Sequence, residues 1–267
     1  MPSTIKAYKN LKFLNSPQAR TIRILCEYEE PKQRFEDQNV ENTIVLFGSA
    51  RTFSREKALL AVEEAKASGD AEAVTAAENR LIQSRYYEEA RELSRRLTQW
   101  SMDRNKADYL VCTGGGPGIM EAGNRGAADV PGGRSVGLGI SLPFEEDLNE
   151  YVTPDLDFEF HYFFTRKYWF MYLAKALIVF PGGFGTLDEF AELLTLVQTQ
   201  KITKSLPIVL YGPDYWSEVI NVQKMVEWGT ISAKDLDLFH SSDSVDDAYE
   251  YLVAKLEDYE GAAGNHS

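Results

Sequence analysis

The run Pro181-Gly182-Gly183-Phe184-Gly185-Thr186-Leu187-Asp188-Glu189 pairs a phosphate-sized backbone cradle with a carboxylate. It follows the apolar stretch Ala176-Leu177-Ile178-Val179-Phe180 and precedes an amphipathic stretch from Phe190 to Gln200. That order predicts a buried strand, a tight glycine turn and a helix N-terminus. Glycine has no Cβ, so backbone N–H groups in such a turn can approach a bound phosphate closely. Glu189 then falls in the first turn of the helix. The positive helix end would keep it ionised, which suits charge stabilisation or water activation better than acid catalysis. The spacing also has a plainer reading, because Thr186-x-x-Glu189 fits a capping box that needs no chemistry.

A second glycine run, Thr113-Gly114-Gly115-Gly116-Pro117-Gly118, follows the apolar stretch Tyr109-Leu110-Val111-Cys112, and a third turn, Gly48-Ser49-Ala50-Arg51, follows Thr43-Ile44-Val45-Leu46-Phe47. Neither long run is a Walker A loop, since no Gly-Lys-Ser/Thr follows, and Gly183-Phe184-Gly185 lacks the third glycine of the dinucleotide fingerprint. ATP hydrolysis and hydride transfer therefore lose support. Past the second run, Glu121 and Asn124 can either reach a ribose or form plain helix surface. Arg166-Lys167 sits among Phe163, Phe164, Tyr168, Trp169 and Phe170. Its guanidinium either stacks on rings with its head in solvent, or contacts a phosphate or purine. The histidines, His161, His240 and His266, have no metal-ligand spacing with the cysteines. No Gly-x-Ser-x-Gly elbow points to a serine hydrolase.

These residues need a scaffold that brings three turns to one edge. Short apolar strands at 43–47, 109–113, 136–140, 158–163, 176–180 and 207–211 alternate with helical stretches. The pattern predicts an α/β fold, a Rossmann-like doubly wound parallel sheet with helices on both faces. Ligands of such sheets bind beyond the carboxyl ends of the strands, where the three turns should converge. Helices are expected at 119–128, 165–175, 215–228 and 245–256. The stretch 55–100 reads as an added helical hairpin broken at Gly69-Asp70. We expect one domain over 43–260, an N-terminal extension over 1–42 without an assignable role, and a disordered tail over 261–267.

The formal net charge of −13 argues against a general nucleic-acid binder, which needs a broad basic surface. A local cradle can still bind a phosphorylated metabolite in an acidic protein. Two cysteines, Cys26 and Cys112, are no disulfide framework, and Cys112 reads as a buried thiol. No window approaches the roughly 18 apolar residues of a membrane span, and Met1 to Asn10 has no signal-peptide core. The expectation is a cytoplasmic protein with no membrane or nucleic-acid partner, no metal and no cofactor.

The runs 113–122 and 181–189 resemble the two signature motifs of the Lonely Guy group of cytokinin riboside 5′-monophosphate phosphoribohydrolases, whose bacterial members have often been labelled lysine decarboxylases. The resemblance extends from about Thr43 to Tyr211. The extension and the helical stretch at 55–100 look like those of longer bacterial members. The resemblance implies a Rossmann-like domain, a homodimer or higher homo-oligomer, and hydrolysis of the N-glycosidic bond of a nucleoside 5′-monophosphate to free base and ribose 5-phosphate. Carried over by motif, Arg166 and Glu189 match the catalytic pair, and Lys167 the basic residue beside that arginine. Gly183, Phe184, Gly185 and Thr186 match the phosphate loop, with Gly48, Ser49, Gly115, Gly116, Glu121 and Gly182 as further binding positions. Thr195 matches a binding threonine, and Glu145, after Leu142-Pro143-Phe144, a binding glutamate. The first strand ends Gly48-Ser49-Ala50 where the family usually has Gly-Ser-Ser. The decarboxylase label would need a lysine to hold pyridoxal phosphate, and no residue in the sequence announces one.

Three readings remain at this level. The first is a phosphoribohydrolase acting on AMP or an N6-substituted AMP. The second is a non-catalytic nucleotide-binding or sensor protein that uses the same cradle. The third is an interaction protein in which the helical hairpin matters most.

Overall fold

The computed structural model describes residues 4–104, 109–142, 148–202 and 206–264. The elements run α1 (Leu11–Leu14), α2 (Arg20–Asp37), β1 (Asn42–Phe47), α3 (Arg55–Ser68), α4 (Ala71–Gln83), α5 (Arg85–Met102), β2 (Tyr109–Thr113), α6 (Ile119–Ala128) and β3 (Ser135–Ile140). There follow β4 (Asp157–Phe160), α7 (Phe163–Leu173), β5 (Ala174–Val179), α8 (Phe184–Gln198), β6 (Ile208–Tyr211), α9 (Pro213–Val219), α10 (Val222–Glu227), β7 (His240–Ser242) and α11 (Val245–Gly264).

The strands form one sheet in the order β4-β3-β2-β1-β5-β6-β7, and every pairing is parallel. The apolar runs explain this arrangement, because a parallel strand is covered on both faces and alternate side chains must both find a core. In β1, Ile44 and Leu46 join one core with Tyr87, Leu93 and Leu97 of α5, Ala122 of α6 and Leu252 of α11. Val45 and Phe47 join the other, with Trp169 and Phe170 of α7, Phe190 and Leu193 of α8 and Trp216 of α9. The fold is the expected doubly wound α/β sheet. The chain runs outward from β1 to β4 and then returns to β5 on the other side of β1. This places the topological switch point between β1 and β5.

Several boundaries differ from expectation. The stretch 55–100 holds three helices, not two. The expected break at Gly69-Asp70 is present, with Gly69 (φ 72°) ending α3 and Asp70 capping α4, but a second break at Ser84 frees α5 to pack on the sheet. The segment 215–228 is two helices, because Asn221 caps α10 by accepting a hydrogen bond from the Lys224 amide at 2.8 Å. α11 runs on to Gly264, into the segment expected as a tail. The extension contains an 18-residue helix, α2, whose Phe35 enters the core. Cys26 and Cys112 are free thiols, and Cys112 is buried, as expected. No helix among the described residues is long and apolar enough to cross a membrane.

Candidate functional site

The turns after β1, β2 and β5 meet at the carboxyl edge, because those strands are neighbours. The β1 turn joins the other two. The Ser49 amide donates to the Pro181 carbonyl at 3.0 Å, and the Ser49 carbonyl accepts from the Ile119 amide at 3.0 Å. Gly118 has φ 70°, and a Cβ there would lie 2.3 Å from the Ser49 carbonyl oxygen. Only glycine meets both demands. At Gly48 a Cβ would strike Ile119, so the first two turns are in close contact. Gly115 and Gly116 are fastened from beneath, where the Asn149 side-chain amide donates to their carbonyls at 2.9 and 3.1 Å.

The third turn differs from the expected one. α8 begins at Phe184 with Gly183 as its N-cap, about one turn ahead of a start capped by Thr186. Thr186 is the third helical residue, and its hydroxyl lies under Gly182, where a Cβ would come within 2.1 Å of it. The Thr186–Glu189 capping box therefore does not form; among the described residues a capping box joins Ser232 and Asp235. A Cβ at Gly183 or Gly185 would meet nothing within 4 Å, and Phe184 is 92% exposed. The N-terminus of α8 is thus open, and its N-cap residue has no side chain to satisfy the first N–H groups.

Glu189 lies in the second turn of α8, about 7.5 Å of helix rise beyond Phe184. It is 4% exposed. α7, from the neighbouring crossover, brings two cations to it. Lys167 Nζ is 3.4 Å from Glu189 Oε2, and the Arg166 guanidinium is 3.8 Å from Oε1. Oε2 is buried and accepts no hydrogen bond among the described residues. Burial raises the Glu189 carboxyl above the usual carboxylate range, while Lys167 and Arg166 pull it back. The sequence reading looked to the helix end to keep this carboxylate ionised; burial opposes ionisation here, and Lys167 and Arg166 favour it. Lys167 is partly buried, which lowers its ammonium, but Glu192 at 2.6 Å, Asp188 at 2.9 Å and Glu189 outweigh this and raise it. Arg166 has the Phe163 and Phe170 rings 5.1 and 5.7 Å from its guanidinium carbon.

Not every expected residue faces this cluster. Glu121 turns away to α5, where its carboxylate accepts from the Tyr87 hydroxyl. Asn124 is neither surface nor ribose ligand. It is fully buried, accepting from Thr113 and Asn149 and donating to Ser135 and the Val136 carbonyl. Thr195 is exposed on α8, its hydroxyl donating to the Ala191 carbonyl at 2.8 Å. Glu145 lies outside the described residues. The sequence reading missed Asp188 and Glu192 as partners of Lys167, although their i, i+4 spacing on α8, with Glu189 between, marks one acidic helix face. An open groove of about 610 Å³ adjoins the cluster between α7 and α8, lined by Phe164, Lys167, Tyr168, Tyr172, Glu192 and Leu196 among others. Among the described residues no three His, Cys, Asp or Glu side chains gather as a metal site.

The sequence model of a family described as "Possible lysine decarboxylase" matches residues 120–252. The pyrimidine/purine nucleotide 5′-monophosphate nucleosidase of Escherichia coli K12 is 33% identical over 116 residues, 39% of this chain and 24% of that protein. The cytokinin riboside 5′-monophosphate phosphoribohydrolase LOG1 of Arabidopsis thaliana is 35% identical over 86 residues, 32% of this chain and 38% of that protein. The chain therefore matches about a quarter of the length of the first relative and under two fifths of the second. A molybdenum cofactor binding protein from Rippkaea orientalis superposes with a TM-score of 0.48 at 17% identity, over 80% of this chain and 96% of that one.

Proposed function

Since this chain belongs to the family described as "Possible lysine decarboxylase", which takes in the Lonely Guy phosphoribohydrolases, we propose that it hydrolyses the N-glycosidic bond of a nucleoside 5′-monophosphate. The products are the free base and ribose 5-phosphate, and the substrate is AMP or an N6-substituted AMP. The observation that carries this reading is the buried Glu189, set between two cations and about one ribose phosphate beyond an open helix N-terminus.

Each part has a role in that reaction. The N–H groups at the start of α8 and the Gly182–Gly183 turn receive the 5′-phosphate, favoured by the helix dipole. Phosphate binding, remote from the reacting bond, holds C1′ beside Glu189. Departure of the base leaves an oxocarbenium-like sugar, which the Glu189 carboxylate stabilises while directing water to it. Lys167 and Arg166 keep Glu189 ionised despite its burial. Arg166 also orients the nucleotide and balances charge that develops on the leaving base.

Lys167 does not suit the decarboxylase description. A lysine that holds pyridoxal phosphate reacts as a neutral amine, favoured by a lowered pKa. Lys167 is gripped by three carboxylates and shifted upward.

The test is to incubate the protein with AMP and with adenosine and to measure adenine and ribose 5-phosphate. Base release from AMP, with adenosine a far poorer substrate, is the expected result. Binding of AMP without base release would favour the nucleotide-sensor reading instead. A homodimer belongs to the same proposal. α7 leaves Phe164, Tyr168 and Tyr172 38–56% exposed beside the site, and we assign this face to the second copy.

A further inference from the structure

The N-terminal extension reaches the site through one carboxylate. Glu27 of α2 lies at the N-terminus of α7, the helix that carries Arg166 and Lys167. Its Oε1 accepts from the His161 amide at 2.8 Å, and its Oε2 from the Tyr162 amide at 3.2 Å. The Thr165 hydroxyl lies within hydrogen-bonding distance of both Glu27 Oε2 and the Tyr162 carbonyl. The Glu27 carbonyl accepts from the Trp169 indole at 3.0 Å. The next residue, Tyr28, packs on Tyr168 and Trp169 with ring centroids 5.5 and 5.9 Å apart.

α7 needs this help for two physical reasons. Its own N-cap residue is Tyr162, which makes no side-chain cap, and its first turn contains no acidic residue. A helix start without an internal cap frays, and Glu27 fixes the entry instead by holding the N-cap residue Tyr162 and the residue before it. In addition, Arg166 and Lys167 are the fourth and fifth residues of an 11-residue helix, close to its positive end. Cations there oppose the helix dipole, and an anion at the N-terminus offsets them. The first intrahelical bond, from the Arg166 amide to the Tyr162 carbonyl, is 3.3 Å long. It starts at a residue that Glu27 holds.

We propose that Glu27 is a positioning residue: it caps α7 from outside and so holds Arg166 and Lys167 against Glu189. The extension is then part of the catalytic support and not a separate module. This inference rests on the reaction proposed above for its kinetic arm, but not for its structural one.

The test uses Glu27→Ala and Glu27→Gln in the full chain. Hydrogen exchange reads the cap without reference to catalysis. The amides of His161, Tyr162 and Arg166 should exchange about tenfold faster in Glu27→Ala. Glu27→Gln should fall between, because its amide oxygen still accepts a hydrogen bond. Turnover reads the consequence. In Glu27→Ala, kcat on AMP should fall by about tenfold or more, with KM changing less. Glu27→Gln should recover much of that loss. In an Arg166→Ala background, Glu27→Ala should cost little further, since the residue it positions is gone. Unchanged exchange at these amides would overturn the cap. Faster exchange with unchanged kcat, or losses that simply add to those of Arg166→Ala, would overturn the positioning role. If the wild type released no base at all, the proposed reaction would fail, and exchange at Arg166 would still decide this inference.

Discussion

Glu189 has a cost that a surface carboxylate does not. Its folded-state pKa is raised, chiefly by burial, so the native state holds its proton more tightly than the unfolded chain does. Stability therefore falls as pH rises from the ordinary carboxylate range, about 4.3, toward the folded value. Glu189→Gln removes that penalty and leaves Lys167 with Asp188 and Glu192. We expect its melting temperature at pH 7 to equal or exceed that of the wild type, while turnover falls by about a hundredfold or more. A calorimetric scan beside a base-release assay checks both. The acid limb of kcat/KM in the wild type should lie above the ordinary carboxylate range, as a pH profile would read. Arg166→Ala should lower kcat on the order of a hundredfold. The residue types were legible in the sequence: Arg166, Lys167 and Glu189 do meet. The charge logic was not, because it depends on burial and on two cations 22 and 23 positions upstream in the chain. Sequence spacing made Glu189 a cap residue ionised by the helix dipole. Packing instead moved it one turn deeper and gave its charge to Lys167 and Arg166 to hold.

At the scale of elements, the strands and the convergence of three turns were readable because buried parallel strands are nearly continuous apolar runs. α6 was readable end to end. The start of α8 was not. Its first turn holds Gly185 and an exposed Phe184 directly after Gly182 and Gly183, and its apolar periodicity emerges only further on. β7, His240–Ser242, has no apolar residue to announce it. Two glycines at the carboxyl edge separate structural from functional demands. Gly118→Ala forces a Cβ into the Ser49 carbonyl at positive φ, and should destabilise the fold by about 2 kcal/mol or more in denaturant titration. Gly183→Ala has ordinary φ of −89° and open space, so its stability should change by no more than about 0.5 kcal/mol. Its methyl group would nevertheless sit at the mouth of the phosphate cradle, and KM for AMP should rise with kcat less affected.

For the whole molecule, alternation of strands and helices was enough to fix the architecture, since a parallel sheet needs crossover helices on both faces. The extension was illegible for the opposite reason. α2 owes its place to contacts more than 120 residues away, such as Arg34 to the Asp157 carbonyl and Glu27 to residues 161 and 162, and long-range contacts leave no local pattern. Self-association belongs to this scale too. If the exposed α7 aromatics form the proposed dimer face, Tyr172→Glu should shift sedimentation equilibrium toward monomer. A wild type that sediments as monomer at micromolar concentration would remove that assignment.

The most direct test of the central claim is chromatographic measurement of adenine from AMP, with wild type and Glu189→Gln in parallel. Adenine and ribose 5-phosphate in equal amounts from the wild type, and essentially none from the folded mutant, is the predicted result. Equal release by both proteins, or none by either, would contradict the assignment of Glu189 as the carboxylate of a phosphoribohydrolase.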